Sequence, residues 1–297
     1  MEFDNLFEEC KKNFTDGMKK NLVKDESCIS FRIDNENDIM LAIKLAYNDT
    51  KRTLRGWARM DSRENIKRES FKKLAKAISK YFSETEEKTY LEFAALLRQW
   101  RKILIDEFKS CGFELSTGQA QKIVNVTMKN LYCYNDACCY ENKFKYCHMP
   151  LDSYILDWFR DILPEVKNKS CEELAQHVTK DIPGIEVNFL RKGSATFELI
   201  KGREKIRFDG KAAWSAIQDD DFYDCIQSII CFYLQNNNTY EKIPLNESSL
   251  KTEFVIWPYM IFKVNLGQVI NSTYNFDDTF MELALCFLVK DIIKKRY

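Results

Sequence analysis

Chemistry-bearing side chains concentrate in one stretch, 115–159, which reads LSTGQAQKIVNVTMKNLYCY…CHMPLDSYILDWF. Its loop holds Cys133, Cys138, Cys139, Cys147 and His148. Adjacent cysteines rarely share one zinc, and no Cys-x2-Cys knuckle occurs, so buried thiols are expected there and no metal. The only two histidines, His148 and His177, lie in no recognisable nucleophile context for a Ser-His-Asp or Cys-His hydrolase. A P-loop and a Gly-x-Gly-x-x-Gly turn are both missing, so no nucleotide cofactor is expected. The acid run 219–221 precedes an apolar segment and reads as a helix N-terminal cap, with a metal-binding carboxylate cluster as the alternative. Two charged residues of the central stretch remain to be placed, Lys122 and Asp152.

The elements that would position them are two helices. Ala120, Ile123, Val124, Thr127, Met128 and Leu131 recur at helical spacing and make an apolar stripe. Lys122, Asn125 and Lys129 share the opposite, polar side. Pro150 just ahead of Asp152 and Ser153 signals a second helix start, because a carboxylate there accepts the first free N–H groups. Taken alone, such a lysine is a solvated side chain and such an aspartate is a cap, which asparagine would replace at little cost.

The pair together resembles the core of the helix-hairpin-helix DNA glycosylases. Lys-Ile-Val-Asn-Val at 122–126 is similar to that family's Lys-x-Ala-Asn-Val, and Pro-Leu-Asp-Ser-Tyr-Ile-Leu at 150–156 looks like its aspartate segment. The turn at 116–118 has one glycine where the family hairpin carries two. Aligned on that glycine, the family lysine falls on Ala120; aligned on Asn-Val, it falls on Lys122. The resemblance implies Asp152 as the catalytic carboxylate that stabilises a cationic sugar. It implies Lys122 as an amine that attacks the sugar carbon. Asn125 and His148 would support them, and Ser116, Thr117, Gly118 and Gln119 would grip the DNA backbone.

Length and composition set the bounds. The 297 residues, 45% hydrophobic and 13% aromatic, suit one large domain or two modest ones; nine glycines and five prolines favour helices. Lys+Arg and Asp+Glu balance at 45 each, so global charge does not point to nucleic acid. Local charge does: residues 51–80 hold eleven Lys or Arg, Arg55, Arg59 and Lys67 among them, against three acids. That stripe could neutralise phosphates, and a solvated helix face explains it equally well. No signal peptide is read in the acidic start Met-Glu-Phe-Asp, so the eleven cysteines are expected to be reduced and the protein cytoplasmic. Apolar runs of about ten residues fall short of a membrane span.

Along the chain, helices are expected at 1–23, 35–46, 64–82, 87–110 and 119–131, then from 152 to a stop at Pro164. A short extended piece is expected at 28–33. After a further helix at 170–180, three short strands near 186–190, 195–200 and 205–208 form an antiparallel meander, and helices resume at 210–217, 220–235, 254–270 and 279–295. The fold class is therefore mainly α. A helical domain with a helix-hairpin-helix-like core (1–165) would precede a mainly helical part containing the meander (166–297). The expected function is a DNA-processing enzyme of the glycosylase type that excises a flipped base. The alternative is a non-catalytic nucleic-acid-binding or protein-interaction module on the same fold.

Overall fold

The apolar spacing of the first half closes into five helices: α1 (Phe3–Leu22), α2 (Glu36–Thr50), α3 (Arg63–Ser83), α4 (Tyr90–Lys109) and α5 (Thr117–Tyr132). The structure, a computed structural model, describes residues 2–22, 31–60, 63–190, 196–209, 213–241 and 243–269. Helix starts follow the side chains that satisfy free backbone N–H groups. Asn35 accepts from Asn37 N at the head of α2, and Thr89 with Glu92 forms a capping box on α4. Gly112 takes φ +84 just past α4, a left-handed position that suits glycine at a helix end.

Helix α5 is the axis of the molecule. It packs on α2 and α4 and also meets a later helix, α7 (Asp220–Asn236). Every one of its residues is buried, which corrects the expectation of a polar side turned to water. Its charged and amide groups are instead met by partners from elsewhere in the chain, as buried polar groups require.

Helix α6 (Ser153–Asp181) begins where Asp152 and Pro150 place it, but Pro164 does not end it. The proline lies inside the helix, and the break comes at Ser170 (φ −150°, ψ 48°), where the expected 170–180 helix continues on a new course. The boundary expected at 165/166 therefore falls within α6, and one hydrophobic cluster joins Leu6 to Ile261 across it.

Three strands follow, β1 (Glu186–Phe189), β2 (Phe197–Lys201) and β3 (Glu204–Phe208), antiparallel in the order β1-β2-β3. Register places Phe189 opposite Phe197 and Phe197 opposite Phe208. These rings pack on Phe159 and Phe222, which seats the meander on α6 and on α7 (Asp220–Asn236). Gly202 at φ +60 closes the second hairpin. Of the helix expected at 210–217, the described residues 213–217 hold a single 3-10 turn, Trp214–Ala216. A small ladder of β4 (Thr239–Tyr240) and β5 (Ile243–Pro244) precedes α8 (Ser249–Val269). The fold is thus mainly α with a small meander. The helix expected at 279–295 and residues 28–30 of the extended piece expected at 28–33 lie outside the described residues; its remainder, 31–33, belongs to no strand. No helix among the described residues is long and apolar enough to cross a membrane.

Candidate functional site

Asp152 is held from three sides. As the N-cap of α6 its Oδ1 accepts from Tyr154 N and Ile155 N at 3.0 and 3.1 Å. Its Oδ2 accepts from the Trp257 indole at 2.9 Å and lies 3.4 Å from Lys122 Nζ. The segment leading into it is fixed by two buried glutamines. Gln227 donates to Met149 O at 2.8 Å and accepts from Met149 N at 3.1 Å. Gln121 does the same to Leu151, at 2.9 and 3.2 Å. Each primary amide thus satisfies both backbone groups of one residue, the accounting that buried backbone demands.

Lys122 meets two carboxylates, Asp152 at 3.4 Å and Asp49 at 3.1 Å, and the Trp214 ring lies 5.0 Å from its ammonium. Two helical turns on, Lys129 pairs with Glu253 at 2.5 Å inside a box of Phe14, Phe254 and Trp257 rings, 4.3 to 5.2 Å from Nζ. Burial raises the Glu253 carboxyl above its usual range, and Lys129 opposes that shift. Trp257 links the two pairs, its N–H on Asp152 and its ring under Lys129. The crevice between the pairs holds about 20 Å³, room for roughly one water.

Asn125 and His148 lie just behind. Asn125 donates to the Tyr223 hydroxyl (2.7 Å) and to Gln121 (3.0 Å), and His148 Nδ1 lies 3.1 Å from the same hydroxyl. Burial, with Arg101 and Arg98 nearby, holds the His148 imidazole down at about 3, so it is neutral at physiological pH. Both supporting residues therefore connect to the glutamine that fixes Leu151.

The turn residues 116–119 do not form a free hairpin. Ser116 and Gln119 make a capping box on α5, and the turn packs against the 214–218 segment. Ser116 Oγ donates to Ser215 O, Thr117 Oγ1 to Gln218 O and Gly118 N to Ile217 O, all within 2.9 Å. Gly118 is required by that approach, since a Cβ there would lie 1.8 Å from Trp214 O. Ser116 and Gln119 nevertheless reach a polar groove of about 690 Å³, where they meet Arg52, Arg55, Ser215 and Gln218. Arg59 is exposed on the 3-10 turn Trp57–Arg59, and Lys67 on α3 pairs with Glu64; neither lines the groove.

Comparison with protein-family models, with curated proteins and with solved structures found no match. Groove and lysine are neighbours, because three elements each serve both. Gln119 and Lys122 are one turn apart on α5, Asp49 lies in the last turn of α2 shortly before Arg52, and Trp214 adjoins Ser215. The sequence named Lys122, Asp152, Asn125 and His148, which the structure brings together. It missed Asp49, Gln121, Trp214, Gln227 and Trp257, whose types carry no motif and whose distance along the chain hides the contact. The loop cysteines take no part: Cys133 and Cys147 are buried, Cys138 and Cys139 exposed. Burial pushes the Cys133 thiol up to about 11 and that of Cys147 higher still, which keeps both protonated and poorly nucleophilic at neutral pH.

Proposed function

We propose that the protein is a DNA-processing enzyme of the glycosylase type, working through Lys122 and Asp152. The observation that carries this reading is the meeting of the two side chains, 3.4 Å apart, with Asp49 as a second carboxylate on the lysine. An amine nucleophile must shed a proton before it attacks C1′ of a deoxyribose, and Asp49 stands within reach of that proton. A carboxylate fixed by backbone and indole N–H groups is preorganised to face the positive charge that develops on the sugar as the base departs. The groove with Arg52 and Arg55 would bind the phosphates, and Trp214, its ring 5.0 Å from the Lys122 ammonium, is the sequence neighbour of the groove residue Ser215. A flipped base needs far more space than 20 Å³, so the reading requires Trp214 and its neighbours to move aside when DNA binds.

That narrow crevice also favours a second reading, in which the protein binds nucleic acid through the groove and the buried ion pairs hold the helices in register. The deciding experiment is incubation with duplex and single-stranded oligonucleotides carrying an array of modified bases. Abasic sites would be scored, and borohydride would trap any Schiff base. Excision that is lost in Lys122→Gln, together with the trapped adduct, supports the enzyme. Oligonucleotide binding that weakens with salt, with no excision on any substrate, supports the binding module.

A further inference from the structure

A second sizeable cavity lies far from this site. At the C-terminal end of α5, about 20 Å from the groove at its start, a cavity of about 640 Å³ opens between the head of α4, the loop after α5, α6 and the head of α8. That volume lies within the range of small-molecule sites. Two residues of its lining carry polar atoms without hydrogen-bond partners among the described residues. The Tyr90 hydroxyl makes no hydrogen bond among the described residues. Burial pushes that phenol well above its usual range, so it remains a donor. His177 Nε2 is buried and, at 3.2 Å from Asp181 Oδ2, is not aligned for a hydrogen bond with it. Asp181 is steadied by Ser228, whose Oγ donates to it at 2.8 Å.

The walls and rim are of another character. Tyr146 and Tyr90 contribute rings to the lining and pack edge-on to each other at 5.9 Å, while the buried Tyr132 presents only its edge, its hydroxyl bonded to Glu141 at 3.0 Å. Two exposed lysines also line it with no ion pair among the described residues, Lys145, whose ammonium lies over the Tyr146 ring at 5.1 Å, and Lys180; of the carboxylates beside them, Glu141 is paired with Lys251 and Glu247 completes the lining. A ligand that satisfies all three zones has a planar ring to lie on tyrosines, donors and acceptors on the ring edge for Asp181 and Tyr90, and an anionic group for the lysines. We propose that this cavity binds a mononucleotide unit, the base on the tyrosine walls and the phosphate at Lys145 and Lys180. The unit is either a free nucleotide or the 5′-phosphorylated end of a strand. This assignment is independent of the chemistry proposed at Lys122.

The test is calorimetric titration of the full chain with the four common nucleoside 5′-monophosphates, the matching nucleosides, inorganic phosphate, and 5′-phosphorylated tetranucleotides. At least one nucleotide should bind about tenfold tighter than its nucleoside or phosphate alone, a difference of about 1.4 kcal/mol. Tyr90→Phe removes one unpartnered hydroxyl and keeps the ring, so the fold is undisturbed and affinity should fall roughly fivefold. Combined Lys145→Gln and Lys180→Gln should erase the preference for nucleotide over nucleoside. A tetranucleotide that binds tighter than the mononucleotide identifies the ligand as a strand end; equal or weaker binding identifies a free nucleotide. Absence of binding by every nucleotide at about 1 mM, or an affinity unchanged by Tyr90→Phe, overturns the proposal.

Discussion

Replacing Asp152 by asparagine separates a cap from a keystone. Were the side chain a helix cap alone, asparagine would serve nearly as well and stability would hardly change. The contacts say otherwise. Asparagine has one acceptor oxygen, whereas Asp152 spends Oδ1 on Tyr154 N and Ile155 N and Oδ2 on the Trp257 indole and Lys122. Whichever way the amide is turned, its NH2 faces donors, and either the cap or the indole is left without an acceptor. A buried donor so stranded costs about 1–3 kcal/mol. Lys122, 3% exposed, also loses one of its two carboxylates. Breaking a buried pair costs about 3–5 kcal/mol, and Asp49 at 3.1 Å limits the loss to the lower part of that range or less. The sum is about 3 kcal/mol, or a fall in Tm of roughly 6 °C or more for a chain of this size. Urea denaturation of wild type and Asp152→Asn, at unchanged m-value, measures it. Adding Trp257→Phe removes the stranded indole, so the double variant should lose about 1 kcal/mol less than the sum of the single losses. An Asp152→Asn protein within about 0.5 kcal/mol of wild type would refute the argument.

Three further outcomes follow from the same geometry. Gly118→Ala should destabilise by about 3 kcal/mol, since relieving a 1.8 Å contact with Trp214 O stretches three hydrogen bonds of about 1 kcal/mol each beyond their range; chemical denaturation reads this directly. His148, free to titrate near 6.5 when unfolded but held at about 3 when folded, binds its proton more readily in the unfolded chain, so stability is full above about 6.5 and drains as pH falls toward 3. The loss should approach 2–3 kcal/mol at pH 4.5, and His148→Asn should flatten that limb of a pH–stability curve. Combined Arg52→Glu and Arg55→Glu should weaken duplex DNA binding and lower its salt slope by about two, measured by fluorescence anisotropy at several salt concentrations, whereas Lys67→Glu, outside the groove, should change the slope less.

What was legible in the sequence follows from how local each signal is. The approximate spans of α3, α4, α5 and α7 were readable because periodicity and caps act within a few residues, as the Asp219 cap on α7 shows, whereas the Thr89–Glu92 and Ser116–Gln119 boxes went unread. The meander was readable from short apolar segments separated by glycine turns. The burial of α5 was not. Lysine at 122 and 129 has the spacing of a solvated face, and only contacts with Asp49 and Glu253, from opposite ends of the fold, turn that face inward. Pro164 misled for a related reason. The usual rule ends a helix at an internal proline, yet this one is carried within α6, between the buried Leu163 and Val166. Asp152 was visible as a cap because capping is local, but its second oxygen answers to Trp257, which no motif announces.

The two glutamines on Met149 and Leu151 give the polypeptide there a double character. By connectivity it is a loop, following the cysteine-bearing turns and leading into α6. By hydrogen bonding it behaves as the middle strand of a sheet whose neighbours are single side chains, with alternate residues held from α7 and from α5. Release of the Met149 and Leu151 amide protons to solvent therefore requires α5 or α7 to shift. Those two amides should exchange with deuterium as slowly as core helix positions, while Cys138 and Cys139 exchange early. The loop can breathe at its tip without loosening the aspartate at its root.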